Sequence, residues 1–297
     1  MKVLSIVGGG FRLLREKPAA VAAWGLIYLL SVVATTLVMR STMTGLNGDP
    51  AAAPFGPMGA SGLGKFALLE IAVLILMVVL MTAVQRAILH PERSAFAYLR
   101  LGMDELRMFA LAVILLILFY ILMILGMLVL ALVAGLIGMA AGMGAAGPMA
   151  AILMVGLLAF VLVFEVRFAL AFPLTLLRGK IIIGEAWRIT RGRFWTLFAA
   201  FLLLTVIILA VIVAASLVTT GSFFAELIRD RFDPAGAAAA QRVMMERQFG
   251  PVTAMTVLGW ILNGLAGTFA LVLFGGAVAT AARELTGNID AIAETFA

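Results

Sequence analysis

The run MFALAVILLILFYILMILGMLVLALVAGLIG, from Met108 to Gly138, decides the fold. It carries no charge and is apolar on every side, so as a helix it has no face to offer water. A helix needs about 20 mostly apolar residues to cross a hydrocarbon core about 30 Å thick, and this run exceeds that with room for tilt. Five further stretches qualify by the same measure: 18–39, 66–89, 149–177, 194–218 and 252–282. The sequence therefore predicts an all-α, polytopic membrane protein with six transmembrane helices in a single domain, 1–297.

Composition agrees. The chain is 64% hydrophobic and 12% charged, with mean hydropathy +1.19. A soluble domain would be roughly 45–50% apolar and about 25% charged. The excess cannot be hidden inside one water-exposed fold, which excludes a soluble enzyme. The absence of cysteine excludes disulfides and thiolate chemistry, and His90 is the lone histidine. No metal or other cofactor is expected on that inventory. The N-terminal apolar run Val3–Val7 is too short for a signal peptide and is interrupted by Gly8-Gly9-Gly10, Arg12 and Arg15.

Orientation follows from the basic residues. With six spans, both termini and two loops share a side that carries about fourteen Lys and Arg, against about six opposite. The richer side holds Arg12, Arg15, Arg86, Arg100, Arg178, Arg188, Arg191 and Arg193 among others. That side is predicted to be cytoplasmic, in a bacterial inner membrane. The outer loops differ in kind. Arg40–Lys65 is rich in Gly, Pro and Ala, and Gly138–Pro148 predicts a tight hairpin between the third and fourth spans. In the loop 219–250, apolar residues recur at helical spacing and Asp233-Pro234 looks like a helix start, which predicts two short outer helices.

Three short stretches on the basic side resemble one another. They are Phe11-Arg12-Leu13-Leu14-Arg15, Phe96-Ala97-Tyr98-Leu99-Arg100 and Trp187-Arg188-Ile189-Thr190-Arg191. Each sets an aromatic four positions before an arginine and shortly before a span. The spacing suggests three helix-hairpin repeats, each preceded by a cytoplasmic interfacial helix. In such a helix the aromatics Phe11, Phe96, Trp187 and, further on, Trp195 sit at headgroup level. Arg12, Arg15, Arg100, Arg188, Arg191 and Arg193 then meet lipid phosphate. The competing account is that any cytoplasmic loop of a membrane protein gathers arginines and aromatics.

Arg167-Phe168-Ala169-Leu170-Ala171-Phe172-Pro173, followed by Glu185-Ala186-Trp187-Arg188-Ile189-Thr190-Arg191-Gly192-Arg193-Phe194-Trp195, is the most distinctive part of the chain. It resembles a pattern of bacterial integral membrane proteins that includes the membrane domain of some glycerophosphoryl diester phosphodiesterases and six-helix inner-membrane proteins. Ala186 stands where that pattern often has serine, and Leu176-Leu177-Arg178 replaces an acidic residue. The resemblance implies a fold and a lipid-related setting. It carries over no catalytic residue, because the soluble phosphodiesterase domain has no counterpart here.

Polar groups inside spans are costly and need a partner or water. Glu70, Glu165, Arg167 and Asn263 are the candidates, with Arg86 at the end of the second span. Counting about 1.5 Å per residue from the outer side puts Glu165 about 24 Å down, Arg167 about 27 Å and Arg86 about 30 Å. Glu165 and Arg86 are then a candidate interhelical pair. They either line a cytoplasm-facing cleft with Arg167 or form a strut between helices, with Arg167 snorkelling to the interface. Glu70, some 6 Å below the outer surface, is expected to reach water or Lys65.

Other signals are weaker. Gly8-Gly9-Gly10 precedes no strand and lacks a Walker lysine, so it predicts no phosphate cradle. Seventeen methionines read as gap filling, His90-Pro91-Glu92 as a turn, and the basic stretch Arg178–Arg193 as a lipid-facing surface with no nucleic-acid partner. The leading functional expectation is a non-catalytic inner-membrane protein that engages phospholipid, alone, with a partner protein or as a homo-oligomer. The alternative is a small-molecule or ion transporter using Glu165, Arg167 and Arg86. An intramembrane enzyme would need a clustered base and nucleophile, which the spans do not show.

Overall fold

The computed structural model describes residues 2–44, 60–92, 94–141, 143–229 and 251–296. Nine α-helices occur among them. They are α1 (Val3–Glu16), α2 (Pro18–Thr44), α3 (Ala60–Leu89), α4 (Met103–Ala141), α5 (Met143–Phe168), α6 (Ala171–Arg178), α7 (Gly184–Thr190), α8 (Phe194–Arg229) and α9 (Ala254–Phe296). Six stretches are long and apolar enough to cross a membrane, as expected. The chain is a multi-pass membrane protein by that criterion.

Local sequence explains the helix boundaries at Pro18, Pro173 and Gly179. Pro18 cannot donate a backbone hydrogen bond, so α1 stops at Glu16. Lys17 takes a non-helical conformation, and α2 begins with proline at its first position. The fourth span is not the single helix predicted over 149–177. It breaks at Ala169-Leu170 between α5 and α6. Pro173 lies four residues past Ala169, whose carbonyl it cannot satisfy and its ring crowds. The short α6 ends at Gly179, whose φ of +62° closes the helix with its N–H on the Thr175 carbonyl at 3.0 Å.

The six spans form three consecutive hairpins, α2–α3, α4–α5 and α8–α9. The tight third-to-fourth connection is present, since α4 ends at Ala141 and α5 begins at Met143. In the loop between α8 and α9, the first of the two expected short helices is instead a continuation of α8 to Arg229. The second, at Asp233-Pro234, lies outside the described residues, as does most of the loop before α3.

α9 is the hub and the most buried of the spans. It packs against α1, α2, α3 and α8. Its glycines let the neighbours close in. A Cβ at Gly10 of α1 would stand 2.6 Å from Leu273 Cα, and one at Gly276 would stand 2.7 Å from Gly10 Cα. Gly9 and Gly10 of α1 are therefore a helix-packing device, whereas Gly8 meets nothing within 4 Å.

The face that carries the start of α2, the 90–102 loop and the α6–α8 connection is called the basic face below. The buried core lies against it. Trp24, Leu80, Val84, Met108, Leu111, Phe164, Leu197, Phe201, Val272 and Val278 are all buried there, and the core reaches mid-span at Val78, Leu204 and Ala266. Toward the far face the spans touch pairwise, as at Gly126 against Leu157 and Arg40 over Trp260. Leu128, Leu132, Leu136, Val155, Leu209 and Leu217 are exposed there, an arrangement suited to lipid and not to water.

Candidate functional site

The basic face is organised around the segment joining α3 to α4. Ala95–Tyr98 forms a tight turn in which Phe96, Ala97 and Tyr98 have φ of 49°, 56° and 63°. Three consecutive non-glycine residues in the left-handed region cost about 1–2 kcal/mol each. The surroundings hold them there. Trp24, fully buried on α2, donates its indole N–H to the Ala97 carbonyl at 2.8 Å. Arg86, 2% exposed at the end of α3, donates from Nη1 to the Tyr98 carbonyl at 2.7 Å. The Leu99 N–H closes onto the Phe96 carbonyl at 3.1 Å, and the Tyr98 ring is buried. The turn's backbone is thus satisfied from within the protein, as a loop near hydrocarbon requires.

Arg86 has a second task. Its Nη2 donates to Glu105 Oε1 at 2.5 Å and lies 3.9 Å from Asp104 Oδ2, while Asp104 also meets Arg107 at 3.1 Å. Asp104 and Glu105 occupy the first turn of α4, and Arg86 the last turn of α3, so each charge also suits its helix end. The expected Glu165–Arg86 pair is therefore replaced by Arg86–Glu105. Glu165 is exposed, because its neighbours Phe164 and Val166 are the ones turned into the core. Depth along the axis matched Glu165 to Arg86, but rotation about α5 points it away.

The other polar candidates do not converge either. Arg167 is half-buried between aromatic rings, its guanidinium 4.9 Å from the Trp187 centroid and 5.3 Å from that of Phe194. It also donates to Thr190 Oγ1 at 3.4 Å, which ties α5 to α7 and α8. Asn263 was expected to be buried but is exposed, and donates to the Gly259 carbonyl of its own helix at 2.8 Å. Glu70 is exposed near the far face. Glu165, Arg167 and Arg86 thus share no cleft. Among the described residues no cluster of His, Asp and Glu could hold a metal ion.

The six predicted headgroup arginines, Arg12, Arg15, Arg100, Arg188, Arg191 and Arg193, are all exposed on the basic face. So are Phe11, Phe96, Trp187 and Trp195, with Phe96 88% and Trp195 76% exposed. The three matching pentapeptides have different backbones. The first lies inside α1, the second is the left-handed turn and the extended Leu99, and the third is α7 and its C-cap. A helix precedes the first and third hairpins, whereas the second is preceded by the turn.

Beside that turn, an open groove of about 590 Å³ runs between α2 and α3. It is lined by Ile27, Ala72, Ile75, Leu76, Val79 and the loop Leu99–Leu101. Ile27 and Val79 both lie more than two turns inside their helices, so the loop dips past the helix ends to meet them. Trp24, Tyr98, Asp104 and Glu105 escaped the sequence reading. The acidic pair at the start of α4 was the available signal, since it opens the span that follows Arg86 and so lies on the same side of the membrane as the end of α3. No family model, curated protein or solved structure matches the chain.

Proposed function

We propose that this chain is a non-catalytic membrane protein that engages anionic phospholipid through its basic face, with both termini cytoplasmic in a bacterial inner membrane. Its role is membrane organisation, lipid handling or service to a lipid enzyme. The observation that carries the reading is the pairing on one face of exposed arginines with exposed large apolar rings. Charge alone suits a soluble anion, and exposed Phe and Trp alone suit hydrocarbon. Together they match the headgroup boundary, where both phosphate and acyl chain are within reach. The resemblance of 167–173 and 185–195 to the glycerophosphodiesterase membrane domains points to the same setting. The dispersal of Glu165, Arg167 and Arg86 removes the feature that favoured permeation.

Native mass spectrometry of the purified protein with phosphatidylglycerol and with phosphatidylcholine tests this. A basic residue at the surface contributes about 1 kcal/mol to anionic-lipid attraction. Replacing Arg188, Arg191 and Arg193 together with Gln is expected to weaken phosphatidylglycerol binding by up to roughly 100-fold and leave phosphatidylcholine unchanged. Equal occupancy of both lipids by the unaltered protein would overturn the proposal.

A further inference from the structure

We infer that the α2–α3 groove is a discrete site for one anionic phospholipid, with an acyl chain along α3 and the phosphate on Arg100. This deepens the reading above and rests on it, and it assigns Arg100, one of the six exposed arginines, to a discrete site. Four observations define the occupant. The groove's volume of about 590 Å³ falls within the range of about 300–1,000 Å³ typical of small-molecule sites. Its wall along α3, from Ala72 to Val79, is about 10 Å long and follows the axis of a membrane span, so the occupant is elongated along that axis. Every lining side chain is apolar except Arg100. Finally, Arg100 is exposed and has no hydrogen bond or ion pair among the described residues, whereas Arg86 beside it is fully engaged inside the protein.

One apolar trough with a single unengaged cation at its mouth complements a molecule with a hydrocarbon tail and an anionic head. Inorganic phosphate would have no use for the trough, and a lipid without net negative charge would leave the arginine's charge uncompensated. The left-handed turn supplies the positioning. Because Trp24 and Arg86 fix the carbonyls of Ala97 and Tyr98, Leu99–Leu101 is held across the mouth of the groove.

The full-length protein in detergent is titrated with phosphatidylglycerol and phosphatidylcholine, and bound lipid is counted by native mass spectrometry at rising collision energy. One phosphatidylglycerol is expected to survive after loosely held lipids have been stripped. Ala72→Trp, at an exposed position outside the core, fills the trough and is expected to abolish that one retained lipid while leaving loose binding intact. Arg100→Gln is expected to keep a retained lipid but to reduce its preference for phosphatidylglycerol by roughly fivefold. The triple variant of Arg188, Arg191 and Arg193 is expected to lose the loose lipids and keep the retained one. A retained lipid that persists in Ala72→Trp, or full selectivity in Arg100→Gln, overturns the site while sparing the broader proposal. Absence of any anionic preference in the unaltered protein overturns both.

Discussion

Glu105→Ala tests the buried ion pair of the basic face most directly. It removes the carboxylate that meets Arg86 at 2.5 Å and leaves that guanidinium only 2% exposed. Deleting one partner of a buried ion pair costs about 3–5 kcal/mol, because the remaining charge stays desolvated. Arg86 keeps its bond to the Tyr98 carbonyl, and Asp104 stands 3.9 Å away as a partial substitute. The lower end, about 3 kcal/mol, is therefore expected. At about 2–4 °C per kcal/mol for chains of roughly this size, the midpoint should fall by about 6–12 °C. The double variant Arg86→Met/Glu105→Leu removes both charges and strands only the Tyr98 carbonyl, a loss of about 1–3 kcal/mol. It should melt above Glu105→Ala. Glu165→Gln, at an exposed position, should stay within about 0.5 kcal/mol of the unaltered protein. The assay is the fraction of monodisperse protein left after heating in one detergent at one fixed rate, since unfolding of such a chain need not be reversible. A Glu105→Ala midpoint within the error of the unaltered protein would refute the strut. So would a Glu165→Gln midpoint that fell as far as that of Glu105→Ala.

Two further outcomes follow from the packing and the charge layout. Gly10→Ala should cost about 1–3 kcal/mol, because its Cβ would meet the backbone of α9 and push α1 outward. Gly8→Ala, with nothing within 4 Å, should stabilise α1 by about 0.5–1 kcal/mol, so two identical changes in one triplet move the melting midpoint in opposite directions. The cysteine-free chain also allows single-thiol labelling without a background. Arg191→Cys should react with an impermeant maleimide only after the cell membrane is opened, and Gly64→Cys should react in intact cells; the reverse pattern would invert the topology.

The six spans were legible because length and apolarity alone determine what lipid accepts. Their mutual arrangement was not, because it depends on rotation about each axis, and the apolar periodicity that reports rotation in a soluble helix is absent when every side is apolar. Glu165 shows the consequence: its depth was a fair match for Arg86, and its direction was wrong. The break before α6 was encoded in Pro173, but a hydropathy window passes over a proline whose neighbours are all apolar. The packing role of Gly9 and Gly10 appears only when Leu273, Gly276 and Thr280 of α9, more than 250 residues away, are set against them. The left-handed turn had no local signal at all. Phe96, Ala97 and Tyr98 are not residues that favour positive φ, and tertiary contacts, the bonds from Trp24 and Arg86 among them, hold them there.

That last point bears on function. A connection between two antiparallel spans can be made with ordinary turn residues at no conformational cost, and a glycine at position 97 would relieve part of the cost here. Strained backbone persists where the surroundings over-determine it, and such strain gathers at ligand clamps and other working parts. Here the over-determination is explicit: a fully buried tryptophan and a buried arginine each direct one N–H group to one carbonyl of the turn. Both buried N–H groups need an acceptor, and the turn's carbonyls supply it. What the strained geometry does deliver is Leu99-Arg100-Leu101 across the open side of an apolar trough. The bundle is closed at its basic half and loosely paired at its far half, and among the described residues the one run of non-glycine residues at positive φ borders the proposed lipid site.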